Sequence, residues 1–237
     1  LSNVAREPEI VDLQNLLNAM GARISGAGTH TVTVEGVERL HGVSYQPMPD
    51  RIVAGTLLAA AAATGGDVRL TNVPCRDLYA VFTKLREMGC EIDEEESAAR
   101  LRAPQRLTAF QQLQTQPHPG FPTDMQAQML ALAAMAKGTS VVVENVFENR
   151  FAHAGDLNRM GANVLVNGRT AVVQGVEALY GAHVTARDLR GGAALVIAGL
   201  AARGETLVER AGLIDRGYER LEEMLNALGA DICRESV

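Results

Sequence analysis

The sequence predicts an α/β (α+β) chain built of repeated β-α-β-α-β-β units, with helices buried inside and sheets outside. Three observations carry this. A Leu-x-x-Met-Gly or Leu-x-x-Leu-Gly string recurs four times, three alanine-rich segments each open at an aspartate and stop at a glycine, and a strand-like run follows each of those stops.

The four strings are Leu17 to Gly21, Leu85 to Gly89, Leu157 to Gly161 and Leu225 to Gly229, so their glycines stand 68, 72 and 68 residues apart. Apolar residues three apart share a helix face, and a glycine at the end supplies the left-handed residue that closes a helix without a Cβ clash. Each string therefore reads as a helix end, followed by a strand such as the one starting at Ala22 or Ala162.

The second helix type runs from Asp50 to Gly65, from Asp124 to Gly138 and from Asp188 to Gly204. An aspartate at the start suits N-capping, because its carboxylate accepts from the first free backbone N–H groups. The runs Val68 to Val73, Ser140 to Val146 and Thr206 to Arg210 then show the alternating or continuous apolar pattern of strands. Gly36 to Gly42 matches Gly175 to Gly181 at five of seven positions, so the connecting material repeats as well. Residues 97–119 are the least regular: a strand and turn, then a glutamine-rich extended connection into the Asp124 helix.

Three units follow one another over 43–237, and residues 1–42 carry only the back part of a fourth. The sequence opens without a Met, in what reads as the end of a strand, so something is expected to precede it. Helices apolar nearly all round are best buried together beneath sheets.

Of 237 residues, 47% are hydrophobic and 21% charged, enough for a proper core. The net charge of -6, without a basic run, argues against nucleic acid or an anionic membrane as partner. The longest apolar runs, Leu57 to Ala63 and Met129 to Ala136, fall short of a span, which predicts a soluble protein without membrane insertion. Cys75, Cys90 and Cys233 form no C-x-x-C pair and read as reduced thiols, each a small buried hydrophobe, in a cytosol. The five histidines lack metal-ligand spacing, and the glycine strings at Gly26 and Gly191 match no phosphate-binding fingerprint, so neither metal nor cofactor is expected.

Chemistry is expected where strands turn into helices: Arg6 to Glu9, Pro74 to Asp77, Phe147 to Arg150, and Ile214 to Gly217. Helix N-termini and arginines are the ordinary parts of an anion site, although bridging of neighbouring acids explains such arginines equally well. N-capping alone accounts for Asp50, Asp124 and Asp188. Asp124 stands apart, because Phe121-Pro122-Thr123 fixes its approach and Gln126 and Gln128 interrupt an otherwise apolar helix start.

The strings Ala5 to Asp12, Pro49 to Ile52, Phe121 to Gln128, Phe147 to Phe151, Arg159 to Ala162, Asp188 to Arg190 and Ile214 to Glu219 run in order along the whole chain. Together they resemble the UDP-N-acetylglucosamine enolpyruvyl transferase family. The resemblance implies an inside-out α/β barrel, with 1–42 the end of an incomplete domain and 43–237 a three-repeat barrel domain. It implies transfer of an enolpyruvyl group from phosphoenolpyruvate to the 3-hydroxyl of UDP-N-acetylglucosamine, the first committed step of peptidoglycan synthesis, in the cytoplasm. Asp124 matches the family's proposed general base, which at a helix N-terminus needs burial or a neighbouring acid to remain basic. Val146 matches a backbone contact to the sugar nucleotide, and Arg216 an arginine on phosphoenolpyruvate. Arg150, Asp50, Asp188 and Arg190 match positions lining the site. The family's proton-donor cysteine and phosphate-binding lysine would lie upstream of Leu1, so a missing N-terminal half is the expected partner and the chain is expected to be inactive alone. Cys75, Cys90 and Cys233 fall outside the matching motif. The alternatives are a non-catalytic binding or regulatory module of the same superfamily and, more weakly, a relative acting on shikimate phosphate.

Overall fold

The computed structural model describes residues 1–235; positions 236 and 237, the end of the expected second domain, lie outside the described residues. Three helices form its middle: α2 (Arg51–Ala63), α4 (Gln126–Met135) and α6 (Leu189–Ala201), all in mutual contact. Every residue from Gln126 to Ala134 is buried, as are most of the other two helices. Small side chains permit this: a Cβ on Gly55 of α2 would stand 2.9 Å from the Met125 sulfur. Burying each leucine or methionine here contributes about 1.5–3 kcal/mol.

Around the helices lie separate sheets. Strands β3 (Asp67–Thr71), β5 (Ala98–Arg102) and β4 (Glu91–Glu94) form one, in that spatial order and wholly antiparallel. Strands β6 (Gln112–Gln114), β7 (Thr139–Val143), β9 (Thr170–Gln174) and β8 (Asn163–Asn167) form another, in which β6 pairs parallel to β7. Two short pairs complete the set, β1 (Arg23–Ser25) with β2 (Thr33–Glu35) and β10 (His183–Thr185) with β11 (Leu207–Glu209).

The expected unit is complete only in the middle of the chain, as β6-α4-β7-α5-β8-β9, where α5 is Ala154–Arg159. Among the described residues the first unit lacks its opening strand, because residues 43–49 join no sheet, and the third ends after α7 (Leu221–Ala227). The glutamine-rich stretch is likewise more than a connection, since Leu113 is fully buried and the short strand around it is held by β7.

The four glycine-closed helices, α1 (Pro8–Ala19), α3 (Tyr79–Glu87), α5 and α7, end alike. Gly21, Gly89, Gly161 and Gly229 take φ between 92° and 97°, and Ala22, Cys90, Ala162 and Ala230 donate back to Leu17, Leu85, Leu157 and Leu225. An asparagine repeats with them: Asn18, Asn158 and Asn226 each bond both backbone groups of a residue six positions later, Ile24, Val164 and Ile232. At the equivalent Arg86 the guanidinium reaches Ile92 O instead. The paired segments 36–42 and 175–181 are bends, not strands, and return to the helix end, where His41 N and Tyr180 N donate to Met20 O and Met160 O.

Segment 1–42 is thinly packed. Helix α1 buries no residue, and the segment is tied to the rest by the Arg51 fork on Glu9 (2.8 and 3.2 Å), by Tyr45 Oη on Asp12 Oδ1 (2.8 Å) and by His118 N on Glu7 Oε1 (3.3 Å). Cys75 and Cys90 are buried as expected, and burial pushes the Cys90 thiol up to about 11. Cys233 is exposed, contrary to the sequence expectation, because it lies beyond α7 (Leu221–Ala227) with no element packed over it among the described residues. No helix among the described residues is long and apolar enough to cross a membrane.

Candidate active site

Asp50 and Asp188 are N-caps. Asp50 Oδ1 accepts from Ile52 N and Val53 N at 2.7 and 3.0 Å, and Asp188 Oδ1 from Arg190 N and Gly191 N at 3.0 and 2.8 Å. Asp124 is not a cap, which corrects the capping expectation. Pro122 holds an extended approach with ψ of 131°, Thr123–Met125 wind into a 3-10 turn, and α4 begins only at Gln126.

The side chain freed by that turn meets two arginines. Arg150 Nη2 donates to Asp124 Oδ1 at 2.6 Å, and Arg190 Nη2 donates to Oδ2 at 2.8 Å. Each guanidinium is also seated on an aromatic face, Arg150 on Phe147 at 5.1 Å and Arg190 on Tyr218 at 5.4 Å. The neighbours of Asp124 are thus cations and no acid, and its side chain is 36% exposed, so neither of the two conditions expected to keep it basic, burial or a neighbouring acid, is met by the described residues alone.

Arg190 stands in the first turn of α6, which Asp188 caps, so cap and arginine are placed by one helix end. Burial works against its charge, but Tyr218 and Asp124 outweigh burial and leave its pKa raised. Its Nε and Nη1 are buried and have no partner among the described residues. Unmade buried N–H groups cost about 1–3 kcal/mol each, so this guanidinium is built to accept a further hydrogen-bonding partner, most suitably an anion.

Behind Arg190 lies a buried polar knot. Gln128 Nε2 donates to Tyr218 Oη and Thr56 Oγ1, at 3.3 and 3.0 Å, and the two hydroxyls are 2.9 Å apart. It joins α2, α4 and the loop carrying Arg216, which explains the polar interruption at Gln128. The amide of Gln126 is also fully buried, and neither of its atoms has a partner among the described residues.

Val146 is exposed on the loop after β7, where its N–H is taken by Glu144 Oε1 at 2.9 Å. Any backbone contact it makes to a ligand must use its carbonyl. Arg216 is exposed, forms no ion pair among the described residues, and lines an open depression of about 580 Å³ with Asp215, Glu219, Arg220 and Arg234. That depression includes none of Asp124, Arg150 and Arg190. Its ties to the cluster are Tyr218, which also lines it and carries the Arg190 guanidinium, and Gly217, where a Cβ would stand 3.4 Å from Arg190 Nη1. Of the four polar loops, only the one at 147–150 gives its arginine to the Asp124 cluster; Arg6 and Arg76 form no ion pair among the described residues. Sequence reasoning missed Glu144, Thr56 and Tyr218, whose side chains lie in strand-like, helical and aromatic contexts that read as packing.

The architecture places the chain among the mixed α/β enolpyruvyl transferases. NikO from Streptomyces tendae, described as an enolpyruvyl transferase, superposes with a TM-score of 0.85 at 29% identity, over 98% of this chain and 55% of that one. EPSP synthase from Acinetobacter baumannii shares the fold, with a TM-score of 0.69 at 19% identity over 93% of this chain and 55% of that one. The chain belongs to the EPSP synthase (3-phosphoshikimate 1-carboxyvinyltransferase) family, whose profile matches residues 1–225.

Within it, the chain is similar to UDP-N-acetylglucosamine 1-carboxyvinyltransferases. That from Magnetococcus marinus is 56% identical over 234 residues, and that from Myxococcus xanthus 55% over 235, each across 99% of this chain. The chain spans 56% of the length of these relatives.

Proposed function

We propose that this chain is the larger part of a UDP-N-acetylglucosamine enolpyruvyl transferase, acting in the cytoplasm at the first committed step of peptidoglycan synthesis. The observation that carries the reading is the Asp124 carboxylate, displaced from capping and held between Arg150 and Arg190, with Arg190 Nε and Nη1 buried and without a partner among the described residues. The amino-sugar substrate is favoured over shikimate phosphate by the 55–56% identity to carboxyvinyltransferases of that specificity, against 19% to a solved EPSP synthase.

In this reading residues 43–237 are a three-repeat inside-out barrel, and 1–42 are the end of a second domain completed by an N-terminal half. Asp124 takes the proton of the sugar 3-hydroxyl as that oxygen bonds to C2 of phosphoenolpyruvate, while a donor outside this chain protonates C3. The tetrahedral phospholactoyl intermediate then loses phosphate and the C3 proton. Arg190 and Arg216 hold the phosphate and carboxylate of phosphoenolpyruvate, Arg150 orients Asp124, Val146 offers its carbonyl to the sugar nucleotide, and the Asp188 cap holds the helix end bearing Arg190. Asp50 belongs to the wall of the cleft.

The test is phosphate release from phosphoenolpyruvate and UDP-N-acetylglucosamine, with the chain alone and with a separately expressed N-terminal half of a relative. Release only on mixing is the expected result. Release by the chain alone would overturn the need for an upstream donor. UDP-N-acetylglucosamine binding without release in either case would favour the binding-module reading.

A further inference from the structure

Glu144 is an unusual place to bury an acid. It follows β7 directly and is 1% exposed, whereas Thr71 and Glu209, which close β3 and β11 in the other units, are exposed. A buried carboxyl group costs several kcal/mol unless hydrogen bonds satisfy it.

No cation pairs with Glu144 among the described residues; four hydrogen bonds do the work instead. Oε1 accepts from Thr115 Oγ1 (2.8 Å), Val146 N (2.9 Å) and Phe147 N (3.0 Å), and Oε2 accepts from Thr123 Oγ1 at 2.9 Å. Thr115 Oγ1 in turn accepts from Asn145 N at 2.8 Å, so three successive amides, at 145, 146 and 147, are held by this group and its threonine. The two oxygens thereby face different parts of the cleft. One fixes the loop that carries Val146 and continues to Phe147 and Arg150; the other fixes the residue next to Asp124.

We infer that Glu144 is a positioning residue that locks the Val146 loop to the Thr123–Asp124 turn, so that a sugar nucleotide held by the loop is brought into register with the Asp124 carboxylate. The inference rests on the roles of Val146 and Asp124 proposed above. A misplacement of about 1 Å between a substrate and its base is enough to cost roughly a hundredfold in rate, which is why two adaptable segments need a common anchor.

Glutamine should substitute for Glu144. Its amide oxygen takes the place of Oε1 and keeps three acceptances, while its NH2 group takes the place of Oε2 and the Thr123 hydroxyl turns to accept. Alanine removes all four bonds, and Thr123→Val removes only the tie to the turn.

The experiment combines the 237-residue chain with the N-terminal half of a relative and compares it with Glu144→Ala, Glu144→Gln and Thr123→Val in the same mixture, reading amide hydrogen exchange at Val146 and Phe147 and the affinity for UDP-N-acetylglucosamine by calorimetry. The expected pattern is at least tenfold faster exchange and about tenfold weaker binding in Glu144→Ala, with Glu144→Gln within threefold of the parent on both. Thr123→Val should keep the exchange slow and still lose affinity, a split that general loosening of the fold does not produce. If Glu144→Ala does not fold, the other two variants decide alone. Unchanged affinity in Thr123→Val and Glu144→Ala beside a parent that binds overturns the inference and leaves the proposed function standing. A parent chain that does not bind the sugar nucleotide even when combined with the N-terminal half overturns the substrate reading, and with it the registration argument, even where exchange at Val146 still depends on Glu144.

Discussion

The start of α4 and the start of α6 are built from the same plan and end differently. At α6, Asp188 folds back onto Arg190 N and Gly191 N and serves its own helix. At α4, Asp124 sits one residue too early to serve its helix, whose N-cap is Met125, and its carboxylate is given to Arg150 and Arg190. The α2 start agrees with α6, since Asp50 caps Ile52 and Val53. A repeat thus sets a default, and the one copy that departs from it, at the cost of a cap, marks where selection asked for something other than stability.

The largest way to break the contrast is Asp124→Asn. The amide keeps the shape but cannot take a proton, so turnover of the chain combined with an N-terminal half should fall by about 10²–10⁴-fold. The same change keeps one acceptor but turns an NH2 group towards the other arginine, so it should cost about 1–3 kcal/mol in urea denaturation; a larger collapse in stability with activity per folded molecule retained would show that Asp124 is structural.

A second test sharpens the comparison through His153, which is 1% exposed and has both ring nitrogens unpartnered among the described residues. Burial holds its imidazole down at about 4, with Arg150 lowering it further and Asp188 and Asp156 opposing. A folded-state value below the unfolded 6.5 favours the neutral ring, so the stability is present above pH 6.5 and is lost as pH falls towards 4. At about 1.4 kcal/mol per unit the loss approaches 3 kcal/mol. His153→Leu should flatten that slope in urea midpoints measured from pH 7 to pH 4, while an unchanged slope would remove His153 from the account.

The smallest effect belongs to the caps. Asp188→Ala and Asp50→Ala should each cost about 1 kcal/mol in urea denaturation. Asp188→Ala should also weaken phosphate or phosphoenolpyruvate binding, because the helix end it fixes carries Arg190. Equal binding losses in both variants would mean that the caps act only through global stability.

The caps were legible because their partners lie two or three residues away, and the glycine-closed helix ends because theirs lie within six. Asp124 was singled out by its proline approach and polar neighbours, yet its partners could not be read, since Arg150 is 26 residues on and Arg190 is 66. Gln128 was likewise visible as an interruption, while Tyr218, which explains it, stands 90 residues away. Glu144 gave no signal, because an acid at the end of a valine run reads as a strand emerging into solvent. Cys233 shows the opposite: a small apolar residue is usually buried, but none of the described residues covers this one.

The sequence by itself determined the repeat, the capped starts of α2 and α6, the glycine-closed helix ends and the identity of the buried helices, because capping, glycine conformation and apolar periodicity are interactions of near neighbours. Only the tertiary structure decided which of three equivalent aspartates was freed and which arginines claimed it. Those contacts exist only once α2, α4 and α6 are packed together, bringing side chains from distant units within about 3 Å in a site that excludes most of the water that would otherwise solvate them.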